Sequence, residues 1–372
     1  MGKKFFIVCI IFLLLIVSGC SVKNSATDPI KFRFAILGDI QVAEIESGYP
    51  SCTNVPQLRQ TIIDINNSNP RSQFIFINGD IVTNLVNDNG EALRAQLSAW
   101  QDVYNGLPVL NKIQLLPIAG NHESNFKDLR LDAEAPNPGA INEWLNWFAQ
   151  NGYNFVSGNG PTPTRPNPDS IVRDESNLTY SFNIRNIHFV VINTDTLNTN
   201  TDPTTGMVLA GWIPINWIEN DVRNAQLNPA ISTIILVGHK PIEAPSYSAE
   251  SDNTMLNTSQ HPLADRLSSL MSANNKVKLY LACHCHSWDA IKLNNGNGIW
   301  EVIVGNGGAH IEESWAPQGG AYFGYSIIDI YRSGKIVLSD FGRALPPPPQ
   351  KFYEDSPVPP EPATLRQELV IY

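Results

Sequence analysis

Short apolar runs rich in Ile, Val, Leu and Phe punctuate this chain, and each stops at a residue able to hold a metal. FAILGD ends at Asp39, FIFINGD at Asp80, LLPIAGNHE surrounds Asn121, IILVGH ends at His239, and LYLACHCH carries His284 and His286. Apolar runs of roughly four to eight residues with this β-branched and aromatic content predict buried strands. Carboxylate, amide and imidazole groups then emerge together at the C-terminal ends of strands, the edge at which open α/β sheets place ligands. Two bridged divalent metals need such a mixed oxygen and nitrogen set.

Between these strands the apolar positions shift to helical spacing. Helices are predicted over residues 55–67, 91–105, 141–151 and 212–225. Trp144, Leu145, Trp147 and Phe148 in the third, and Trp217, Ile218 and Val222 in the fourth, are read as core-facing stripes. Alternating strands and helices give the α/β class, and no repeat of solenoid period is present. Residues 159–170 hold PTPTRPNPDS, whose prolines exclude a regular element and predict a surface loop. After Leu345 a run of four prolines and then PVPPEP predict an extended, Pro-rich tail over 346–372.

The N-terminus reads as a processed leader. Lys3 and Lys4 form a charged start, Phe5 to Val17 an apolar stretch, and Val17-Ser18-Gly19-Cys20 matches a bacterial lipobox. The expectation is a lipoprotein signal peptide over 1–19, lipidation of Cys20, a linker over 20–31 and a membrane-anchored location at the cell envelope. Ser21 in place of an aspartate favours the outer membrane and periplasm in a Gram-negative host. Motifs spread from Asp39 to His286 within one ligand set argue for a single domain over 32–345.

Charge narrows the substrate. The chain has 35 Asp and Glu against 25 Lys and Arg, with no basic patch, so long nucleic acid is a poor substrate. Small phosphate esters stay feasible where metal ions supply local positive charge. Outside the leader and Cys20 the thiols are Cys52, Cys283 and Cys285; the last two flank His284, which leaves open whether they add to a metal site. His188, inside an apolar run, is read as structural, His261 as exposed, and His310 as a residue near the cleft.

The order Asp-x-Gln, Gly-Asp, Gly-Asn-His-Glu, Gly-His and Cys-His-x-His resembles the calcineurin-like metallophosphoesterase superfamily, whose usual pattern has His at the position of Gln41 and Gly at that of Cys283. The likeness runs from about Phe32 to Leu345 and is greatest to purple acid phosphatase-like bacterial members, through YSFNIRNIHFVVINTDT, VGHKP and VIVGNGGAH with FGYSIIDIY. The resemblance implies a four-layer αββα sandwich of two mixed sheets flanked by helices. It implies two divalent or mixed-valence transition metals (Fe, Mn or Zn). One would lie between Asp39, Asp80 and His286, with Gln41 a weaker amide ligand. The other would lie between Asp80, Asn121, His239 and His284, with Asp80 bridging. His122 would act as an acid on the leaving oxygen or bind phosphate, and Glu123 would orient a histidine. Thr83 occupies the place of the tyrosinate of purple acid phosphatases, so no charge-transfer colour is expected. The implied function is phosphomonoester hydrolysis of a small phosphorylated substrate. The alternatives are a phosphodiesterase or nucleotidase, and a metal-binding envelope lipoprotein without turnover. Oligomeric state is not legible.

Overall fold

The computed structural model describes residues 28–43, 53–243, 257–258, 261–293, 298–311, 319–345 and 360–372. The leader, Cys20 and Cys52 lie outside them. In chain order the elements are β1 (Ile30–Leu37), α1 (Val55–Asn67), β2 (Phe74–Asn78), α2 (Glu91–Asn105), β3 (Gln114–Ile118), α3 (Asn121–Ser124), β4 (Asn125–Asp128), β5 (Ala133–Pro136), α4 (Pro138–Gln150), β6 (Tyr180–Ile184), β7 (Ile187–Ile192) and α5 (Ile215–Leu227). Then follow β8 (Thr233–Gly238), β9 (Asn257–Thr258), β10 (His261–Pro262), α6 (Leu263–Ala273), β11 (Val277–Ala282), β12 (Trp288–Lys292), β13 (Trp300–Val304), β14 (Phe323–Tyr331), β15 (Ile336–Arg343) and β16 (Thr364–Val370).

Two six-stranded mixed sheets form the centre, ordered β16-β15-β14-β1-β2-β3 and β12-β13-β11-β8-β7-β6. Strand alternation explains the layers. In β1, Phe32, Phe34 and Ile36 enter the space between the sheets, while Ala35 and Leu37 face the helices. β8 divides in the same way, with Ile235 and Val237 inward and Ile234 and Leu236 outward. Both faces are covered, which is why these strands read as continuous apolar runs. The outer face of the first sheet packs on Leu58 and Ile62 of α1, Leu97 and Trp100 of α2 and Trp144 and Phe148 of α4. The outer face of the second packs on Ile218 and Val222 of α5 and Leu267 and Met271 of α6. The expected αββα sandwich is therefore the observed one.

Helix boundaries follow local capping. Asn54 accepts from Gln57 N at 3.2 Å to start α1, and Asn137 accepts from Gly139 N and Ala140 N to start α4 three residues before the predicted helix. α5 starts at Ile215 and not at 212, and Pro214 at its N-cap makes no side-chain cap hydrogen bond. The cap comes from a distant loop: Asp169 accepts from Asn216 N at 2.7 Å and Trp217 N at 3.0 Å. The irregular 159–170 loop thus does structural work on the second sheet's helix. β16 lies within the stretch read as a Pro-rich tail; it pairs antiparallel with β15 and forms the edge of the first sheet. Among the described residues, no helix is long and apolar enough to cross a membrane.

The handedness of the connections positions the site. β1, β2 and β3 are parallel, as are β7, β8, β11 and β13. Their C-terminal ends therefore share one rim. The layer beneath is fixed by phenylalanines, with the Phe34 ring 5.3 Å from that of Phe74 and 5.4 Å from that of Phe189 across the two sheets. Truncation of Phe34 to Ala is expected to cost ~3–5 kcal/mol of stability. A urea midpoint unchanged in the Phe34→Ala protein would show that this ring cluster does not bind the sheets together.

Candidate metal centre

Each expected site residue occupies the first turn after a parallel strand. Asp39 and Gln41 follow β1, Asp80 follows β2, Asn121 and His122 follow β3, His239 follows β8, and His284 and His286 follow β11. Asp39, Gln41, Asp80 and His284 have φ of 52°, 53°, 51° and 71°. A left-handed conformation costs a residue with a Cβ roughly 1–2 kcal/mol. It turns the chain sharply enough to aim each side chain back over the strand ends, a concentration of strain typical of functional sites. Gly79 and Gly120 permit close approach, since a Cβ would stand 2.2 Å from His239 Nδ1 at the first and 2.2 Å from Asp80 Oδ1 at the second.

The tightest group is Asp80, His239 and His284, whose ligand atoms all lie within 4.8 Å of one another. His239 Nδ1 must donate to Asn78 O, 2.9 Å away, so in the neutral ring Nε2 carries a lone pair. That lone pair faces Asp80 Oδ2 at 3.2 Å, Asn121 Oδ1 at 3.2 Å and His284 Nδ1 at 3.3 Å. His284 Nδ1 is also 3.1 Å from Asn121 Oδ1. A buried cluster of mutually facing acceptors is repulsive until a cation or a proton enters it.

The second group adjoins it. Asp39 Oδ2 accepts His284 N at 2.7 Å, while its Oδ1 is buried without a hydrogen-bond partner. That oxygen lies 4.0 Å from His239 Nε2 and 3.7 Å from His286 Nε2. His286 Nδ1 donates to His310 O at 2.9 Å, which turns Nε2 toward the site. The residues present therefore fit divalent metal ions: they offer carboxylate, amide and imidazole donors, with backbone carbonyls fixing the rings of His239 and His286. Gln41 presents its amide nitrogen, 3.0 Å from His286 Nε2 and 3.4 Å from His122 Nε2; half a turn about its last torsion would present the oxygen.

The electrostatics carry the same demand for positive charge. Burial raises the Asp39 carboxyl well above its ordinary range, helped by Asp80. Burial would raise Asp80 too, but His122 and His239 outweigh it and hold this carboxylate below its ordinary range. Burial alone would lower His239, yet Asp80 raises it to about 10, so a proton there answers the two carboxylates. His284 is held well below its usual value by burial and by the charges of His239 and Lys240, against the opposite pull of Asp80. Burial likewise brings His286 down to about 4.

Two expectations take a different form. Glu123 does not orient a histidine. Its Oε2 accepts Gly120 N at 2.7 Å and Asp80 N at 2.9 Å, and its Oε1 accepts Val82 N at 3.1 Å. The carboxylate thus ties the turn after β2 to the turn after β3. Cys283 and Cys285 are buried as thiols in opposite apolar layers, Cys283 between the sheets with Sγ on Val304 O, and Cys285 against the helices, so neither side chain joins the cluster. Thr83 turns to Gln96 Oε1 at 3.4 Å, and His188 is held by Asp221 at 2.8 Å, as a structural residue. His122 is partly exposed, with Nδ1 donating to Asn84 O and Nε2 3.6 Å from Asp80 Oδ2. Residues unforeseen in the sequence complete the surroundings: Glu134 accepts from Asn121 Nδ2 at 3.1 Å, and the buried Lys240 pairs with Asp195 at 2.6 Å.

With this geometry in place, relatives can be compared. Residues 32–288 match the family model for Calcineurin-like phosphoesterase, and the chain belongs to that family; it is a metallophosphoesterase, a phosphoric ester hydrolase. A purple acid phosphatase from yellow lupin (Lupinus luteus) seeds superposes with a TM-score of 0.54 at 17% identity, covering 84% of this chain and 51% of that one. The chain thus spans about half the length of the lupin protein. A dimetal phosphatase from Danio rerio superposes with a TM-score of 0.52 at 15% identity, covering 85% of this chain and 98% of that one. PhoD gives 0.54 at 11% identity over 92% of this chain and 70% of that one. At such identities the likeness is one of fold. No curated protein sequence matches the chain.

The Glu123 clamp generates a test. Gln has one acceptor oxygen where the carboxylate offers two, so Glu123→Gln sets an NH2 group against a backbone N–H. The expected loss is ~1–3 kcal/mol in metal-free stability, with faster hydrogen exchange at the Asp80, Val82 or Gly120 amides. Unaltered exchange at all three would remove Glu123 from this role.

Proposed function

We propose that the chain hydrolyses phosphate esters at a dinuclear metal site, with phosphate monoesters as the preferred class. The observation that carries the reading is the buried set of acceptors around Asp80, with the unpartnered Asp39 Oδ1 on one side and Asn121 Oδ1 on the other. In this reading Asp80, with two carboxylate oxygens, would serve both ions; Asp39 and His286, with Gln41, would hold one, and Asn121, His239 and His284 the other. Bound manganese, iron or zinc would supply the acidity that turns a water into hydroxide near neutral pH and would offset charge on the phosphoryl oxygens.

The chain's own residues do the positioning. The left-handed turns and the Glu123 clamp fix Asp80. Backbone carbonyls of Asn78 and His310 fix which nitrogen His239 and His286 present. His122 keeps Nδ1 on Asn84 O, so only its Nε2 is offered to the open side, and the doubly protonated ring would donate from there to a phosphate or leaving oxygen. The monoester preference draws support from the purple acid phosphatase and the dimetal phosphatase among the structural neighbours. A panel of monoesters, diesters and nucleotides on manganese-loaded protein separates this preference from a diesterase.

Replacing Asp80 by Asn removes the group able to bind both ions. Activity is expected to fall ~10³-fold or more, several kcal/mol of transition-state stabilisation, with reduced metal content by elemental analysis. Wild-type turnover and metal content in Asp80→Asn would sink the dinuclear reading. The same proposal places the enzyme at the cell envelope through lipid on Cys20. Labelled palmitate should enter the wild type and not Cys20→Ser; equal labelling of both would refute the anchor.

A further inference from the structure

An asparagine offers a cation only its amide oxygen, and its two faces are nearly isosteric. Something must decide which face of Asn121 meets His239 and His284. A ring nitrogen with a bare lone pair would accept from the NH2 face, so the rings of His239 and His284 by themselves do not hold the oxygen inward, and a contact on the other side of the side chain can.

There Glu134, on β5, supplies an acceptor-only group. Its Oε2 lies 3.1 Å and its Oε1 3.4 Å from Asn121 Nδ2. A reversed amide would set Oδ1 against a carboxylate, two acceptors face to face. Glu134 is itself held. The fully buried Asn125 donates Nδ2 to Glu134 Oε2 at 3.1 Å and to Asp195 Oδ1 at 2.9 Å. Asp195 Oδ1 also accepts Gly211 N at 2.9 Å and the buried Lys240 Nζ at 2.6 Å. The β4–β5 hairpin is thereby fastened to the ends of β7 and β8, and its one carboxylate directed at the site reaches Asn121.

We infer that Glu134 is a positioning residue: it fixes the Asn121 amide with the oxygen toward the metal. The inference rests on the proposed metal site and assigns Glu134 no contact with substrate or ion. It differs from a merely structural role in one respect. If the ligand at 121 were a carboxylate, both of its faces would be oxygen and no orienting group would be needed; a neighbouring Glu134 would then repel it.

The test is a double-mutant cycle read by manganese binding in calorimetry. In the wild-type background Glu134→Ala should weaken one manganese step by ~10–100-fold, the usual effect of losing a group that orients a ligand. In an Asn121→Asp background the same change should leave affinity within about threefold or tighten it. A metal-free readout runs beside it. The Asn121 side-chain NH2 signals of 15N-labelled protein should be protected from exchange in the wild type and lose protection in Glu134→Ala, and this decides the matter if Asn121→Asp binds no manganese. Equal weakening in both backgrounds, wild-type affinity in Glu134→Ala, or unchanged NH2 protection would overturn the inference while leaving the metal site standing. No manganese uptake by the wild type would instead overturn the functional reading on which it depends.

Discussion

The structure depends on a concentration of buried electron pairs that calls for positive charge in their midst. Asp39 and Asp80, fully buried, share a small space with Asn121 Oδ1 and the inward nitrogens of His239, His284 and His286. Removing such groups from water is costly unless an opposite charge joins them. Without metal, that charge is the proton on His239, raised to about 10 by Asp80. Asp80, His239 and His284 could hold a metal ion, whose charge would answer the same acceptors.

Holding the cluster together falls to buried carboxylates that bond backbone amides. Glu123 joins the turns after β2 and β3. On the second sheet Glu301 acts alike, accepting Ile242 N at 2.5 Å and Glu243 N at 3.0 Å and so fixing the segment after His239. Burial raises these two groups to about 7 and about 8 respectively. A buried carboxylate thus braces the turns after β2 and β3 on one sheet, and another the segment after β8 on the other. Asp169, capping α5 from a proline-rich loop, applies the same device at a helix N-terminus.

Beneath the rim the two sheets meet on aromatic rings, and the alternation of side chains along β1, β2, β7, β8 and β11 assigns each residue to one layer or another. Because these strands are buried on both faces, a slip of one residue would exchange the layers and turn Asp39 or Asp80 away from the rim. The register of the core and the geometry of the site are in that sense one constraint.

The strands that end at the metal-type residues, and the helices α1 and α2 to the residue, were legible in the chain, because burial writes apolar runs and helical stripes locally, and those residues stand directly at strand ends. The start of α5 was not, since its cap is supplied by Asp169 from far along the chain. Nor was the path of residues 364–370, where proline content upstream hides a strand whose partner is β15. The thiols flanking His284 point into opposite layers because His284, at φ 71° just past the end of β11, breaks the strand alternation between them. Glu123, Glu134, Asp195 and Lys240 carry no local signal of their roles; each acts through a partner brought near by folding. The sequence by itself determined which groups can bind metal and on which edge they emerge, because strand periodicity and the turn residues are local properties. The tertiary structure alone decided their mutual distances, which nitrogen or amide face each one shows, and what holds it there, because those depend on partners distant in sequence and on the loss of water around them.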